Sequence, residues 1–241
     1  MKIKHLNVTA PDYFGVPFLS NSTIKGGVMK ASVATLRTGQ LFHLNVYEPP
    51  LFDASEEAKA HDLQKTSTGI RTGVENSKMI RLVKRMGRAA RANPIVLHFL
   101  NSKKAQFERE FFCYIQVPGI KEPVPFKMKA DGLLYNDEQH TTCLALQDLK
   151  STSCRTLAEF LAVFEPYGYW SQAYLYKLIT GAKNFYFIGV TKSEPHQTFT
   201  VNTKYYRAEM KAAKMAFPQR VKDFLAANPD YRERAASYFT K

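Results

Sequence analysis

The sequence predicts an α/β fold, a sandwich of helices around a mixed central β-sheet, formed by a single domain over residues 1–241. Three observations favour this class. Helical periodicity dominates the first hundred residues, short aromatic and aliphatic strand-like segments follow, and helical periodicity then returns around one further strand. An α+β arrangement of the same elements satisfies this order as well. The chain has no internal repeat, low-complexity tract or Gly/Ser-rich linker that would mark a domain boundary.

The first predicted helix covers residues 32–47. Gly39, His43 and Tyr47 recur at helical spacing along it, and Pro49 with Pro50 ends it. Residues 52–73 then contain few apolar anchors. We expect this looser segment to become ordered when a ligand binds.

A basic amphipathic helix is predicted over residues 76–92. Its apolar positions, at helical spacing, are Met79, Leu82, Val83, Met86 and Ala90. Its other positions carry six cations with no acidic partner after Glu75, namely Lys78, Arg81, Lys84, Arg85, Arg88 and Arg91. Such a run is commonly only a solvated face, but the missing acidic partners equally favour contact with phosphates. A second helix is predicted over residues 95–108.

The middle of the chain has the pattern of β-strands. The predicted strands are 111–117, 126–134 and 142–149, separated by Pro-Gly and Asn-Asp turns. Helices are predicted over 155–165 and 169–181, a strand over 183–190, and helix again from 203 to the end.

The net charge predicts a polyanionic partner. The 241 residues include 34 Lys+Arg and 21 Asp+Glu, a formal charge of +13. Cations gain affinity for nucleic acids by displacing condensed counterions, although a generally basic soluble protein has the same balance. No apolar stretch is long enough to span a membrane, and residues 1–11 lack a secretory apolar core, so we expect a cytoplasmic protein. The cysteines Cys113, Cys143 and Cys154 fit no disulfide or metal framework and are expected to be buried apolar side chains.

Carboxylates near the ends of two predicted strands suggest a metal site. Asp131 ends one strand and Asp148 lies in the next, with Lys150 on the same face as Asp148 because side chains alternate along a strand. Glu110, with Glu108 as a close competitor, could supply a third acid. Carboxylates about 4 Å apart repel by roughly 4 kcal/mol per pair at an effective dielectric of 20. A hard cation such as Mg²⁺ or Mn²⁺ would offset that repulsion, and the chemistry would then be metal-assisted phosphodiester hydrolysis.

Three successive segments carry a family resemblance. Residues 128–133 (MKADGL), 146–152 (LQDLKST) and 169–176 (YWSQAYLY) resemble the ordered motifs of PD-(D/E)XK nucleases. The similarity is greatest to the RecE-type (exonuclease VIII) and lambda-exonuclease-like (YqaJ-type) branch, including a QxxxY helix. Residues 19–24 and the Gly39-to-His43 helix resemble earlier motifs of the same family.

The resemblance implies a restriction-endonuclease-like fold and a role for each matched residue. Asp131, Asp148, the Leu149 carbonyl, Glu110 and His43 would be metal ligands, with Mg²⁺ as cofactor and Mn²⁺ as a substitute. Lys150 would position the attacking water, and Gln172 and Tyr176 would support it. The residues expected to contact DNA phosphates are Arg81, Lys84, Arg85, Arg88, Lys127 and Lys129; the two last stand where the family often has Arg.

The expected activity is that of a Mg²⁺-dependent DNA exonuclease. The resemblance implies 5′-to-3′ digestion of duplex DNA ends, a trimeric or tetrameric ring, and a single-strand annealing recombinase as partner, in a bacterium or encoded by a phage. Two alternatives stay open from the sequence. These are an endonuclease of the same superfamily and a basic DNA-binding protein without catalytic activity.

Overall fold

The computed structural model describes residues 1–6, 13, 15–24, 32–60 and 74–238. Its centre is a six-stranded sheet in the order β1-β2-β3-β4-β5-β6. The strands are β1 (Ile3–Leu6), β2 (Ala105–Ile115), β3 (Val124–Tyr135), β4 (Cys143–Thr152), β5 (Asn184–Thr191) and β6 (Thr198–Asn202). Neighbours are antiparallel except β4 and β5, which are parallel, so the sheet is mixed as predicted.

The helices, numbered in chain order, lie on both faces of the sheet. They are α1 (Asn21–Ile24), α2 (Val33–Tyr47), α3 (Pro49–Ala54), α4 (Val74–Ala92), α5 (Pro94–Leu100), α6 (Leu157–Ala162), α7 (Tyr169–Thr180), α8 (Arg207–Ala227) and α9 (Tyr231–Tyr238). A turn of 3₁₀ helix, Thr203–Tyr205, precedes α8.

Strand β5 shows how the core is divided between the two faces. Phe185 and Phe187 pack in the cluster that includes α7, α8 and α9, whereas Ile188 and Val190 pack in the cluster that includes α2 and α4. All four side chains are fully buried. A strand that is apolar on both faces belongs in the interior of a sheet covered by helices, and this arrangement is the predicted sandwich.

The first helix and the basic helix agree with their sequence patterns. The Ser32 side chain caps α2 by accepting a hydrogen bond from the Thr35 amide (3.2 Å), and α3 begins at Pro49. In α4, Val83, Met86 and Ala90 are fully buried, as is Ile80. Of the segment expected to be loose, Phe52 is buried within α3 and residues 56–60 are helical, while residues 61–73 lie outside the described part of the chain.

The helix predicted over residues 95–108 is wrong in its second half. Helix α5 ends at Leu100, and a turn follows in which the Ser102 hydroxyl accepts from the Lys104 amide (3.1 Å). Strand β2 then begins at Ala105, because residues from there pair with β3 across the sheet. Tertiary pairing overrides the local helical pattern there.

Strands β1 and β6 were also not predicted. The helix predicted from residue 203 onward is instead a 3₁₀ turn followed by two helices, α8 and α9. β1 has four residues and β6 has five, and among the described residues they pair with β2 and β5, respectively.

Cys113 and Cys143 are buried, as expected, whereas Cys154 is partly exposed, and all three are free thiols. Within the described residues, none of the helices combines the length and apolarity needed to cross a bilayer.

Gly87 allows α4 to pack closely against α2. A Cβ atom added there would lie 1.9 Å from Asn45 Oδ1. Asn45 is buried and held by Arg91, which donates to its backbone oxygen at 2.6 Å and its side-chain oxygen at 3.2 Å. The contact therefore has little room to relax.

We expect Gly87→Ala to lower the free energy of unfolding by about 1–3 kcal/mol, the usual cost of overpacking. Gly39→Ala is the matched control, since Gly39 is also within a helix but has no atom within 4 Å of the added Cβ. That control should be neutral or slightly stabilising because alanine favours the helix. Urea unfolding measures both, and equal midpoints for the two variants would contradict the close approach.

Candidate metal centre

The candidate site lies where strands β3 and β4 separate. Their ladder ends with the pair Gly132 and Gln147, so Asp131 and Asp148 are the first residues beyond it. Beyond that pair, the Asp131 carboxylate replaces a backbone carbonyl as hydrogen-bond acceptor, because its Oδ2 accepts from the Leu149 amide at 2.7 Å. Farther along, Leu19 pairs with the free edge of β3 at Phe126. The predicted antiparallel approach of Asp131 and Asp148 is confirmed.

One group of potential metal ligands consists of His43, Glu108 and Asp131. One ligand atom from each lies within 4.8 Å of the others. His43 Nδ1 is 3.5 Å from both Glu108 Oε1 and Asp131 Oδ1, while its Nε2 is 3.0 Å from the Leu149 carbonyl oxygen. Helix α2 thus brings His43 to three strands at once, β2, β3 and β4, and His43 of the Gly39-to-His43 segment lies at the site.

Glu108, and not Glu110, is the glutamate of this group. Glu108 has a backbone φ of 52°, in the left-handed region that side chains other than glycine seldom adopt. Its carboxylate also contacts Lys129, with Oε2 3.0 Å from Nζ. The sequence interpretation preferred Glu110, with Glu108 as a close competitor, and alternation along a strand cannot distinguish the two because residues 108 and 110 would share a face. The distortion at Glu108 is a tertiary feature that spacing does not reveal.

Asp148, Lys150 and Gln172 form a second group on the α7 side of the sheet. Lys150 Nζ is 2.5 Å from Asp148 Oδ1, and the Gln172 side-chain amide donates to Asp148 Oδ2. The Lys150 ammonium also lies 5.1 Å from the centre of the Tyr169 ring. Leu149, between the two polar residues, is buried in the core below α2 and α4. The structure therefore places Asp148 with Lys150, outside the His43, Glu108 and Asp131 group.

Three tyrosines surround these groups. Tyr176 lies one turn after Gln172 on α7 and is partly buried beside it. Tyr169 and Tyr47 were not assigned a role from the sequence. Tyr47 follows His43 by one helical turn, stacks on Phe107 with ring centres 4.9 Å apart, and has a buried hydroxyl without a hydrogen-bond partner among the described residues. The helical spacing from His43 was the available signal for Tyr47.

The protonation of the site reflects crowded acids in a buried place. Burial and the neighbouring Asp148 and Glu108 raise the pKa of Asp131 to about 7, although His43 opposes the shift. Burial would lower the pKa of His43, but Asp131 and Glu108 outweigh it and raise this pKa to about 9. Burial likewise opposes the charge on Lys150, yet Asp148 keeps its pKa above the usual range.

These residues fit a hard divalent cation. Glu108 Oε1 and Asp148 Oδ1 are buried carboxylate oxygens whose nearest charged partners are His43 Nδ1, at 3.5 Å, and Lys150 Nζ, at 2.5 Å. Carboxylate and carbonyl oxygens suit hard cations such as Mg²⁺ or Mn²⁺, and the imidazole also suits divalent transition metals such as Zn²⁺. The ion would relieve the repulsion that raises the pKa of Asp131. His43, Glu108 and Asp131 could therefore hold a metal ion.

A cavity of about 720 Å³ opens beside the site on the α7 side, and we call it the cleft. Three lysines line it, Lys127, Lys129 and Lys150, together with Ser20, Asn21, Ser22 and Thr23 at α1 and Tyr169, Gln172 and Tyr176 on α7. Lys129 and Lys150 each contact a carboxylate of the site. Lys127 is buried and donates to the carbonyl oxygens of Tyr13 and Val16 at 2.7 and 2.6 Å, so it also anchors these two residues.

The cations expected on the basic helix lie on the surface of α4. Arg81, Arg85 and Arg88 are exposed, and Lys84 is partly buried with its ammonium 5.9 Å from the centre of the Phe52 ring. Arg85 forms an ion pair with Glu194. This face is separate from the cleft, because helix α4 packs on the opposite face of the sheet from α7.

The raised pKa of Asp131 predicts how Asp131→Asn changes stability without metal. A folded-state pKa of about 7, against an ordinary 3.8, means that the charged carboxylate destabilises the fold. Below pH 3.8 both states are protonated and the substitution gains nothing; the gain grows up to pH 7 and then stays constant. At pH 8 in EDTA we expect the melting temperature to rise by roughly 2 °C or more.

Scanning calorimetry at several pH values measures this effect. Asp230→Asn is the control, since Asp230 is 62% exposed and, among the described residues, forms its ion pair with Arg234 of the helix that follows it, α9. It should change the melting temperature little at any pH. A lower melting temperature for Asp131→Asn at pH 8 would mean that the carboxylate stabilises the metal-free protein.

Comparison with known proteins supports the fold. The chain is similar to the crystal structure of a candidate exonuclease from Eubacterium rectale, with a TM-score of 0.55, 15% sequence identity, and coverage of 92% of this chain and 88% of that one. It also aligns with the crystal structure of SSO0001 over 82% of this chain and 87% of that one, at 11% identity and a TM-score of 0.38, which is too low to support an argument. No protein-family model and no curated protein matches the sequence. At this identity the first likeness shows a shared fold, and the predicted fold class is confirmed.

Proposed function

We propose that this protein is a metal-dependent deoxyribonuclease that digests duplex DNA from an end, with Mg²⁺ as its cofactor. The observation that carries the proposal is the convergence of Asp131, Glu108 and His43 with the Asp148–Lys150 pair where β3 and β4 separate. The three sequence motifs that resemble PD-(D/E)XK nucleases meet at this place. The fold shared with a candidate exonuclease supports the same class.

The acidic group has a clear chemical use. His43, Glu108 and Asp131 would hold the cation, with the Leu149 carbonyl close by. A bound divalent cation supplies Lewis acidity and charge neutralisation at a phosphate group. Asp131 is fixed in orientation by the Leu149 amide, and His43 by the Leu149 carbonyl oxygen. Because both contacts are to the backbone of β4, ligand positions depend on the sheet itself.

Lys150 would act on the phosphate as a cation. The Asp148 carboxylate keeps it protonated, so it can donate to a phosphate oxygen and stabilise the charge that develops in the transition state. Gln172 holds Asp148 from the other side, and Asp148 in turn holds Lys150. Gln172 is therefore a positioning residue. The lysines of the cleft would attract the DNA backbone to this ammonium.

The 5′-to-3′ direction, the ring-shaped oligomer and the annealing partner are further parts of the resemblance. They stay predictions. The exposed arginines of α4 are expected to contact DNA outside the cleft.

The first test is digestion of end-labelled duplex DNA with Mg²⁺ by the wild type, Asp148→Ala and Lys150→Ala. We expect both variants to lose at least about 100-fold in rate, the scale of a lost transition-state contact. EDTA should stop the wild-type reaction. Equal digestion by all three proteins would contradict the assignment of Asp148 and Lys150 to the active site.

The two glutamates of β2 provide a matched pair of variants. Glu108→Gln should abolish metal-dependent digestion because it removes a charged oxygen from the cluster, whereas Glu110→Gln should digest DNA at a near wild-type rate. The same assay measures both, with Mn²⁺ tested beside Mg²⁺. Loss of activity in Glu110→Gln alone would identify Glu110, the residue preferred from the sequence, as the metal ligand.

A covalently closed circular duplex separates an exonuclease from an endonuclease. The proposed enzyme should leave it intact while degrading the linear form of the same DNA. Linearised or nicked product would identify an endonuclease. Salt-sensitive binding without turnover in any divalent metal would identify a DNA-binding protein that lacks catalysis.

A further inference from the structure

A second concave surface lies on the side of α7 away from the cleft. Gln172 and Tyr176 of α7 line the cleft, whereas Tyr174, Lys177 and Leu178 line this other cavity, which has a volume of about 610 Å³. We call it the basic groove. Its other lining residues are Ala182, Lys183, Thr203, Lys204, Arg207, Met210, Lys211 and Lys214.

The basic groove contains six cations and no acidic residue: Lys177, Lys183, Lys204, Arg207, Lys211 and Lys214. None of the six forms an ion pair within the described residues. By contrast, Arg85, Arg220 and Arg232 elsewhere on the surface each pair with a glutamate. A concentration of unpaired like charge repels itself, and a polyanion is the ligand that would relieve it.

The first turns of helix α8 present three cations along one face. Arg207, Met210, Lys211 and Lys214 are spaced i, i+3, i+4 and i+7, so they lie on one face of the helix. Glu209, the acidic residue of the first turn, does not line the groove. A row of cations along about two turns of helix matches a chain of phosphates better than it matches one small anion.

A buried hydroxyl in the basic groove also lacks a partner. Thr203 is 1% exposed, and its Oγ1 atom has no hydrogen bond among the described residues. Buried hydroxyls are normally satisfied, because an unmade hydrogen bond costs free energy. Thr203 lines the groove, but its Oγ1 atom is closed to solvent, so a ligand in the groove would contact the cations and not this hydroxyl.

Tyr205 indicates which polyanion fits. It directly follows Lys204, a lining residue of the groove, in the 3₁₀ turn and is 77% exposed, although the Tyr205 ring itself is not part of the groove lining. Exposed aromatic rings beside a row of cations are the recognition elements of single-stranded nucleic acids, in which unpaired bases can stack on the ring. The bases of a duplex are paired and do not offer their faces in this way.

We infer that the basic groove binds single-stranded nucleic acid, with its cations on the phosphates and the Tyr205 ring on an unpaired base. The inference deepens the proposed function and rests on it for one point only, the source of the strand. An exonuclease leaves one strand of the duplex uncut, and that strand would lie in the basic groove, separated from the cleft by the thickness of α7.

The test is binding of a fluorescent single-stranded oligodeoxynucleotide in EDTA, measured by anisotropy at several salt concentrations. The groove variant combines Arg207→Gln, Lys211→Gln and Lys214→Gln. We expect its affinity to fall roughly tenfold or more, and the slope of log K against log salt to become shallower by about two, at ~0.7 per phosphate contact. Tyr205→Ala should weaken binding and leave the salt slope unchanged.

The charge-matched control carries Lys59→Gln, Lys103→Gln and Lys121→Gln, three exposed lysines outside both cavities. It should bind almost as the wild type does, and thermal unfolding should show all variants folded. Equal losses in the groove variant and this control would overturn the inference, since net charge alone would then explain them. An unlabelled duplex that competes as well as the single strand would overturn the assignment to unpaired bases.

Two further measurements separate this inference from others. The first measurement is binding to vesicles that contain anionic phosphatidylserine. If the groove variant loses vesicle binding but keeps oligonucleotide binding, the ligand of the basic groove is a membrane surface and not a nucleic acid. The end-labelled digestion assay is run on the same proteins. A groove variant that loses oligonucleotide binding supports the inference even if no protein digests DNA, whereas digestion with unchanged oligonucleotide binding overturns the inference alone.

Discussion

The separation of β3 from β4 is the constraint on which the site depends. Two antiparallel strands would normally continue their ladder beyond Gly132 and Gln147, but there the Asp131 side chain accepts the hydrogen bond of the Leu149 amide in place of a backbone carbonyl. The exchange keeps the buried amide satisfied and opens a gap between the strands. It also fixes a carboxylate whose other oxygen faces His43. One hydrogen bond therefore joins the architecture of the sheet to the chemistry of the site.

The opening in the sheet lets helices on opposite faces contribute to one place. Helix α2 supplies His43 from one face, and α7 supplies Gln172 from the other. Holding the acids close together costs folding free energy. Burial raises the pKa of Asp131, and Glu108 adopts an unfavourable backbone φ. Strain and uncompensated charge of this kind are typical of sites that gain their full stability from a ligand. Here a divalent cation bound by His43, Glu108 and Asp131 would provide the missing positive charge.

Positive charge is distributed over three surfaces with different surroundings. The lysines of the cleft contact carboxylates or backbone carbonyls, and on α4 Arg85 is paired with Glu194. The cations of the basic groove have no ion pairs within the part of the chain that the structure describes. The net charge of the sequence does not distinguish these three surfaces. Their surroundings separate the Lys150 ammonium, which is held against a carboxylate, from the cations of the basic groove, which have no ion pair among the described residues.

Local pattern was sufficient to predict much of this molecule. Alternating elements predicted the sandwich, periodicity predicted α2 and α4, and strand alternation placed Asp148 and Lys150 on one face with Leu149 in the core. These features follow from side-chain direction along a single element, which the order of residues determines. The choice of Glu108 over Glu110, the end of α5 before β2, the position of Asp148 outside the His43 group, and the lack of ion pairs for the α8 cations among the described residues were decided only by the tertiary structure. Each depends on contacts between elements far apart in the chain, and spacing along one element contains no information about them.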